Sequence, residues 1–497
     1  MSSQPLTRLS CEESWKPFEV PSPIQTPYHA AAMPYDLPVD PQQFDRATTI
    51  KPTSILRPHM RIFHLSWMSS ITGFIGWYAI PPLMPEIKSQ LNLTEGDVLN
   101  SDIASTASTI LSRILSGPLL DHFGPQIVQS VVLWLGAIPI ICAAFVHSAT
   151  SLILVRFFIG LVGCVFVSSQ YWTTITFARN VAGTANAITG GFGVSGIGFA
   201  FLVLPYIYQG MTSGNQVSKN VGWRITIALP AVLMIIMASV IRIAAPSCPT
   251  GDFQELRKKK QQIEQCELSA SARGSRSSCS SVQPRKKAKP RSATNLLQSF
   301  RVVLTDRNVL ILIAQYAACF GTELQLNNMG ALYFHTQFTT NACQETPENN
   351  LCSLLSKTTA ATVASSFGLM NLFARALGGF VSDAANRQYK MRGRQHVQMT
   401  LLCVLGTLVI LLSQLDALGP CIALYVLVAI AAQATGGSTY GMVPYLNEQH
   451  TGTVNGVVGA GGNLGGVVYG ILFRSTEGYS TGLLYTGIGF SYSRVHS

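Results

Sequence analysis

The chain has 497 residues, of which 48% are hydrophobic and only 11% are charged, and its formal net charge is +11. Soluble domains carry about 25% charged residues, so this composition excludes a protein whose surface faces mainly water. The sequence contains no catalytic triad, no metal-ligand spacing and no phosphate-binding loop, and it therefore predicts neither an enzyme nor a bound cofactor.

The hydrophobic residues form runs of about 20, the length at which a helix crosses a hydrocarbon core of about 30 Å. Gly, Ala, Ser and Thr are frequent within these runs, as in helices that pack closely in a lipid bilayer. The sequence therefore predicts an all-α integral membrane protein. Its twelve segments, numbered 1 to 12, lie near residues 61–84, 98–120, 126–146, 150–175, 183–208, 222–245, 308–334, 358–382, 398–416, 421–445 and 452–474, with a short last one from 480.

A polar and basic stretch divides these segments into six and six. We predict a mobile cytoplasmic tail over 1–60, a first bundle over 61–246, a flexible linker over 247–301 and a second bundle over 302–497. The basic residues of the linker, like those after segment 8, lie on one side of a weaving chain. The positive-inside rule makes that side, and the N-terminus, cytoplasmic. We interpret the basic runs as topology signals and predict no binding of nucleic acid.

The two halves repeat one another in sequence. Segment 2 carries an R-x-x-x-G-x-x-x-D pattern from Arg113 to Asp121, and segment 8 carries the same pattern from Arg375 to Asp383, at an offset of 262 residues (375−113). Segments 5 and 11 match as well, because GTAN occurs at 183 and GTVN at 452, an offset of 269 residues (452−183). Parallel repeats of this kind predict a binding site near the bilayer midplane, between the halves.

Each half therefore places one arginine inside the membrane. Asp121 and Asp383 belong near the cytoplasmic boundary, since a carboxylate in lipid is costly. Arg113 and Arg375 lie eight residues away, or about 12 Å deeper along a helix. The one acid at a similar depth is Glu323, which cannot neutralise both. The uncompensated charge predicts a small anion, and the forked guanidinium donors suit a planar oxyanion.

The loop after segment 7 contains two cysteines, Cys343 and Cys352, whereas most of the other cysteines stand singly in apolar segments. This loop falls on the side away from the linker, where a disulfide can form. Pairing of the two thiols and two free thiols are both open at this point.

The chain resembles the nitrate/nitrite porter family of the major facilitator superfamily, particularly its fungal form. The resemblance is carried by FHLSW at 63–67, SRILSGPLLDHFGP at 112–125, RFFIG at 156–160, QYW at 170–172, GTAN at 183–186, FGTEL at 320–324, GLMNLFAR at 368–375 and GAGGNLGG at 459–466. It implies the major facilitator fold of two six-helix bundles. It also implies uptake of nitrate, with nitrite as a further substrate, across the plasma membrane and coupled to protons.

The resemblance also implies roles for individual residues. Arg113 and Arg375 correspond to the substrate-binding arginines, Phe74 to a ring that stacks on the anion, and Tyr316 to a hydroxyl that donates to it. Asp121 and Asp383 are expected at the gates. The two glycine-rich signatures comprise Gly191, Gly193, Gly196, Gly461, Gly462, Asn463 and Gly465.

Glu323 is the candidate for proton coupling, because burial can raise the pKa of a carboxyl. A purely structural hydrogen bond is the alternative for this residue. The chain departs from the family pattern in two places. Val194 replaces an asparagine in the first signature. Segment 12 is short, and we expect either that the protein has a shortened last helix or that the sequence is truncated there. Two other functions stay open, namely a carrier for another small anion and a nitrate sensor that does not transport.

Overall fold

All twelve predicted segments coincide with helices in the computed structural model, which describes residues 36–56, 58–215, 217–259, 262, 294–340, 352–446, 451–476 and 478–492. The α-helices of the first half are His59–Trp77, Met84–Leu91, Glu95–Phe123, Pro125–Cys142, Ala149–Gly160, Val165–Thr176, Arg179–Val194, Gly196–Thr212 and Lys219–Ala244. Those of the second half are Thr294–Thr305, Arg307–Thr336, Lys357–Leu369, Ala374–Leu412, Leu418–Met442, Thr451–Ser475 and Tyr479–Tyr492.

Segments 4, 5 and 8 each consist of two helices joined at a break. The break is the 3₁₀ turn Leu161–Cys164 in segment 4, Ser195 in segment 5 and the 3₁₀ turn Met370–Leu372 in segment 8. Irregular backbone at membrane depth is tolerated where the freed polar groups find partners inside the protein. Here the break in segment 4 supplies such a partner, because the Gly163 carbonyl accepts a hydrogen bond from Arg113.

Segments 8 and 9 run through Ala374–Leu412, and the chain reverses between them at Lys390, where φ is 53°. Of the described helices, eight spans are long and apolar enough to cross a membrane by length and composition. Segment 2 falls short because it buries a stripe of Ser, Thr, Asp and Arg side chains toward the protein interior. Tyr479–Tyr492 in segment 12 has 14 residues, about 21 Å of helix.

The prediction of a mobile tail is wrong for residues 36–56. Strands β1 (Val39–Asp40) and β2 (Arg46–Ala47) form a small antiparallel hairpin there. Apolar side chains explain its order, since Leu37 and Ala47 are buried against Phe63 and Phe177. The sequence shows no strong strand signal in this stretch, and the hairpin depends on a tertiary surface.

The described ends of the predicted linker are also folded. Residues 247–259 cover the end of the first bundle, with Phe253 and Leu256 buried and the Trp172 indole donating to the Ser247 carbonyl at 3.1 Å. At the other end, Thr294–Thr305 is helical. We call the side of the molecule next to residues 247–259 the linker face, and the other side the opposite face.

The loop after segment 7 lies at the opposite face. Cys343 is outside the described residues, whereas Cys352 is disulfide-bonded. The Thr340 amide donates to the Cys352 carbonyl at 2.9 Å and brings the two described ends of the loop together.

Small residues bring the two halves together. Segment 2 packs along segment 11, where a Cβ added at Gly117 would lie 2.8 Å from the Gly452 carbonyl oxygen. Segment 5 packs along segment 8, where a Cβ added at Gly379 would lie 2.5 Å from the Ala187 Cβ. Close backbone contact of this kind is the usual way in which helices associate in lipid.

Candidate functional site

Arg113 is fully buried between the halves. Its Nε donates to the Gly163 carbonyl at 3.1 Å, and its Nη1 donates to the Gly459 carbonyl at 2.9 Å. The first acceptor belongs to segment 4 and the second to segment 11, so this side chain bridges the two halves. Its Nη2 has no hydrogen-bond partner among the described residues. No acidic side chain forms a described ion pair with it, and the guanidinium keeps a net positive charge.

Arg375 has a carboxylate partner. Its Nη2 lies 2.8 Å from Glu323 Oε2, and both side chains are buried. Asn371 completes the arrangement, because its amide donates to Glu323 Oε1 at 2.9 Å and its Oδ1 accepts from Arg375 Nε at 3.1 Å. Arg375 Nη1 has no partner in the described part of the chain. The group thus has one free donor, and it carries no net charge when Glu323 is ionised.

Two phenylalanines lie next to both arginines. The Phe166 and Phe320 rings are nearly parallel, with an interplanar angle of 22° and ring centroids 6.3 Å apart. The Arg113 guanidinium carbon is 5.4 Å and 5.1 Å from their centroids. For Arg375 the distances are 5.7 Å and 5.9 Å. Two cations therefore adjoin one pair of aromatic faces.

Two tyrosines border the same place. The Tyr316 ring stacks on Phe320 with centroids 5.0 Å apart, and the Tyr440 ring meets Phe166 edge-on at 4.9 Å. Both hydroxyl groups are buried and have no hydrogen-bond partner among the described residues. With the two free guanidinium nitrogens they make four unpaired donors. An unpaired buried donor costs about 1–3 kcal/mol, so this cluster favours a ligand that only accepts hydrogen bonds.

The charge of the cluster leads to the same conclusion. Two guanidinium groups and one carboxylate leave one positive charge at a place where Arg113 is 0% and Arg375 1% exposed. A buried charge without a counter-charge is strongly destabilising. The cluster can therefore bind a monovalent anion. Among the described residues, no group of His, Cys, Asp and Glu side chains could hold a metal ion.

Phe74, which the sequence indicated as a stacking ring, lies one layer behind the cluster. Its ring meets Phe166 edge-on at 6.4 Å and packs against Trp77 at 5.6 Å. Phe166 and Phe320 are the rings nearest the guanidinium groups. The sequence reasoning missed their role, although Phe320 belongs to the FGTEL motif and stands one helical turn after Tyr316.

The glycine-rich signatures line the two arginines in a symmetric way. A Cβ added at Gly459 would lie 3.4 Å from Arg113 Cδ, and a Cβ added at Gly190 would lie 3.4 Å from Arg375 Cδ. These glycines are related by the same offset of 269 residues (459−190). Each signature therefore contacts the arginine of the other half.

The remaining signature residues pack against segments 1, 7 and 8. Gly191 faces Arg375, Gly193 faces Ser70 and Gly196 faces Phe74. In the second signature, Gly461 faces Ile313 and Gly462 faces Tyr316. A further contact joins Gly465 to the Ala317 carbonyl. Side chains at these positions would push apart helices that carry the cluster.

Asn463 is tied to Arg113 through one oxygen. Its amide donates to the Gly459 carbonyl at 3.0 Å, the oxygen that also accepts from Arg113 Nη1. Val194, its counterpart in the first half, is buried and has no polar group to offer. The replacement of asparagine by Val194 therefore removes a polar contact from the first signature, whereas Asn463 keeps it in the second.

Asp121 and Asp383 lie at the linker face, at matching contacts between the halves. A Cβ added at Gly452 would lie 2.6 Å from Asp121 Oδ1, and one added at Gly183 would lie 2.6 Å from Asp383 Oδ1. The Thr184 hydroxyl also donates to Asp383 at 2.6 Å. Each carboxylate thus sits against the first turns of a helix of the other half, where the helix dipole is favourable.

Arg394 is one of the basic residues after segment 8 that the sequence analysis interpreted as topology signals. It is buried instead, and its Nη2 lies 2.6 Å from Asp383 Oδ1. Its guanidinium also lies over the Tyr445 ring, 5.1 Å from the centroid. In a sequence, a basic residue next to a membrane segment indicates topology. The ion pair of Arg394 with Asp383 is a tertiary contact that the sequence does not indicate.

Contacts also join the halves at the opposite face. Lys357 at the start of segment 8 lies 2.9 Å from Glu86 Oε2, in the short helix Met84–Leu91 between segments 1 and 2. Burial raises the pKa of Glu86, but the hydrogen bond and charge of Lys357, together with hydrogen bonds from Tyr208 and Gln90, outweigh it and hold the pKa below its ordinary value. The cluster is therefore closed toward both faces, which describes an occluded conformation.

Comparisons with known proteins identify the family of the chain. The sequence profile of the Major Facilitator Superfamily matches residues 66–470. The chain is 33% identical over 442 residues to the high affinity nitrate transporter 2.7 of Arabidopsis thaliana, covering 89% of this chain and 82% of that protein. The chain belongs to the nitrate/nitrite porter family of the major facilitator superfamily.

Two further relatives extend the comparison. The nitrate/nitrite transporter NrtP of Nostoc punctiforme is 26% identical over 460 residues, covering 84% of this chain and 87% of that protein. The crystal structure of the nucleoside transporter NupG has a TM-score of 0.54 at 14% identity, covering 87% of this chain and 97% of that one, and indicates the fold alone. The predicted family and fold are thus confirmed, and the chain is a multi-pass membrane transporter and not an enzyme.

Proposed function

We propose that this porter imports nitrate across the plasma membrane by alternating access, with nitrite as a second substrate. The observation that carries the proposal is the surplus positive charge beside four unpaired buried donors. Nitrate is a monovalent, planar anion that accepts hydrogen bonds and donates none. It therefore matches the charge and the hydrogen bonding of the cluster together. The names of the relatives support the choice of nitrate.

In the proposed complex, Arg113 and Arg375 bind the anion with their free nitrogens and Tyr316 donates from its hydroxyl. Phe166 and Phe320 flank its plane. Guanidinium groups suit this task because their donors are planar and forked, which favours planar oxyanions. Phe74 supports the Phe166 ring from behind and does not touch the anion.

Alternating access follows from contacts that the two faces of the molecule make separately. At the linker face the halves meet through Asp121 with Gly452 and Asp383 with Thr184. At the opposite face they meet through Glu86 and Lys357. Opening one set while the other stays closed would expose the cluster to one side at a time, through a rocking motion of the bundles.

Glu323 is the proposed proton site of the cluster. Its two oxygens bind Arg375 and Asn371, so the ionised carboxylate competes with nitrate for Arg375. A proton on Glu323 removes this competition and leaves two positive charges for the anion. Nitrate and a proton would then bind together and leave together, which is the requirement for symport.

The orientation is proposed from charge. Basic residues follow segments 6 and 8, and those that the structure describes lie at the linker face. The positive-inside rule makes this face cytoplasmic, together with the N-terminus and the linker. Nitrate then enters from the opposite face, next to Glu86 and Lys357.

The deciding experiment is uptake of labelled nitrate by a host that lacks its own nitrate transport. The proposal expects saturable uptake that unlabelled nitrite reduces and small carboxylates do not. Uptake of a carboxylate in preference to nitrate would identify a carrier for another anion. Nitrate binding by the purified protein without any uptake would identify a sensor, and either result would overturn the proposal.

A further inference from the structure

A cavity at the opposite face ends at a buried carboxylate. It lies between segments 2, 7, 11 and 12, and the exposed residues Glu95 and Arg474 are at its rim. Asp102 lines its inner part and is 4% exposed. This carboxylate forms an ion pair with Arg156, which also donates to Ser101 at 3.1 Å. Asp102 is thus a buried acid that borders a cavity open to the opposite face.

Glu323 has no such access. It is 0% exposed, and its carboxylate is covered by Arg375 and Asn371. Asp102 stands eleven residues before Arg113 on segment 2, which is about 16 Å nearer the opposite face. A proton that reaches Glu323 from that face must cross this interval.

Tyr78 lies in the interval. It follows the helix His59–Trp77 of segment 1, is 1% exposed, and its hydroxyl has no hydrogen-bond partner among the described residues. The indole of the preceding Trp77 donates to the Ser105 hydroxyl at 3.0 Å, which places Tyr78 beside the part of segment 2 just after Asp102. The charges of Glu323 and Asp102 also act on the Tyr78 hydroxyl. A hydroxyl can donate and accept at once, which is the property that a relay between two carboxylates needs.

We propose that Asp102 and Tyr78 carry the proton from the opposite-face cavity to Glu323, an inference that rests on the proposed symport. Asp102 takes a proton from a hydronium ion in the cavity, which leaves a water molecule. When the Tyr78 hydroxyl moves into hydrogen-bond contact with both carboxylates, Asp102 passes this proton to the Tyr78 oxygen while Tyr78 gives its own hydroxyl proton to Glu323. One proton moves inward, Asp102 is ionised again and Tyr78 stays neutral, so atoms and charge balance.

The surrounding charges fit the direction of transfer. Arg156 faces Asp102 from segment 4 and forms an ion pair with its carboxylate. Glu95 and Arg474 face the cavity from segments 2 and 11, and Tyr479 faces it from segment 12. On the inner side, Arg113 and the Glu323–Arg375 pair face Tyr78. The proton thus moves toward the site where a nitrate anion adds negative charge.

The test compares two transport modes of the purified protein in proteoliposomes. Nitrate accumulation driven by a pH gradient needs the proton, whereas exchange of labelled for unlabelled nitrate does not. We expect Tyr78→Phe to reduce the pH-driven accumulation by about tenfold or more, since proton-transfer groups contribute about 10²–10⁴-fold, and to leave exchange near the wild-type rate. Tyr425→Phe is the matched control, because this buried tyrosine donates to the Leu326 carbonyl, away from the interval.

A second variant tests Asp102. Asp102→Asn alone would leave Arg156 buried without a counter-charge, so the pair is neutralised together as Asp102→Asn with Arg156→Gln. We expect this variant to exchange nitrate and to lose the acid stimulation of accumulation. Unchanged pH-driven accumulation in either variant would overturn the relay, and so would loss of exchange along with accumulation, which assigns a structural role. If the wild-type protein shows no pH-driven accumulation, the proposed proton coupling itself fails.

Discussion

Replacement of Glu323 by glutamine is the most informative single change in the site. It keeps the side-chain volume and removes the one carboxylate that pairs with Arg375, at 2.8 Å. Breaking a buried ion pair by removing one partner costs about 3–5 kcal/mol, and we expect a destabilisation of this order without substrate. Bound nitrate restores the counter-charge. Recovery of about 1.4–2.8 kcal/mol on binding corresponds to about 10- to 100-fold tighter nitrate affinity.

The assay is thermal unfolding of the purified protein over a series of nitrate concentrations. We expect Glu323→Gln to unfold at a lower temperature than the wild type without nitrate, and to gain more from nitrate than the wild type does. Accumulation driven by a pH gradient should be lost. Glu255→Gln is the control, since this exposed carboxylate lies outside the site and outside the contacts between the halves. A Gln variant that binds nitrate no more tightly than the wild type would refute the competition between Glu323 and the anion.

Three further changes test other parts of the account. Phe166→Leu removes one aromatic face of the cluster, and we expect the KM for nitrate uptake to rise about 2- to 10-fold, as aromatic contacts of about 0.5–1.5 kcal/mol imply. Gly459→Ala places a Cβ 3.4 Å from Arg113 Cδ and 3.3 Å from the Tyr440 hydroxyl, and it should weaken nitrate binding. Gly210→Ala is its control and should leave nitrate binding unchanged, because nothing lies within 4 Å of the new Cβ. The pKa of Glu86 is lowered, so its contact with Lys357 stabilises the fold above the ordinary carboxyl pKa, and this stability is lost as pH falls through the lowered value. Lys357→Ala should therefore flatten the acid-side change in unfolding temperature. An unchanged profile of unfolding temperature against pH would contradict the contact.

The repeat in the sequence predicted the essential geometry of the site. Because the R-x-x-x-G-x-x-x-D pattern occurs once in each half, Arg113 and Arg375 could be placed at equal depth before any coordinates were known. Composition and the length of the apolar runs predicted the helical segments, because a helix that crosses lipid needs about 20 consecutive apolar residues. Glu323 was recognised as the one acid near the arginines, and the structure pairs it with Arg375.

Residues whose role depends on tertiary contacts were missed. Phe166 and Tyr440 lie in apolar runs. In such a run the sequence does not distinguish an aromatic side chain that faces lipid from one that faces the core or the substrate. Arg394 belongs to a run of basic residues, and its burial beside Asp383 is a property of the fold. Asp102 resembles a residue at a helix end until Arg156, 54 positions away, is seen to be its partner.

The hairpin at residues 36–56 illustrates the same limit. Its strands are two residues each, too short for any alternation of polar and apolar residues to indicate them. It is held by contacts with the start of segment 5, where the Ala178 amide donates to the Ala47 carbonyl at 2.9 Å. Local propensity carries no information about such a partner.

The central claim is that Arg113 and Arg375 together hold the anion, and calorimetric titration of nitrate into the purified protein tests it most directly. Hydrogen bonds to charged groups contribute about 1.5–3 kcal/mol, so Arg113→Lys and Arg375→Lys should each weaken nitrate binding by about 10- to 150-fold, because an ammonium point charge cannot reproduce a forked contact. Arg242→Lys, at an exposed position, should bind as the wild type does. Wild-type affinity in both of the buried arginine variants would contradict the account.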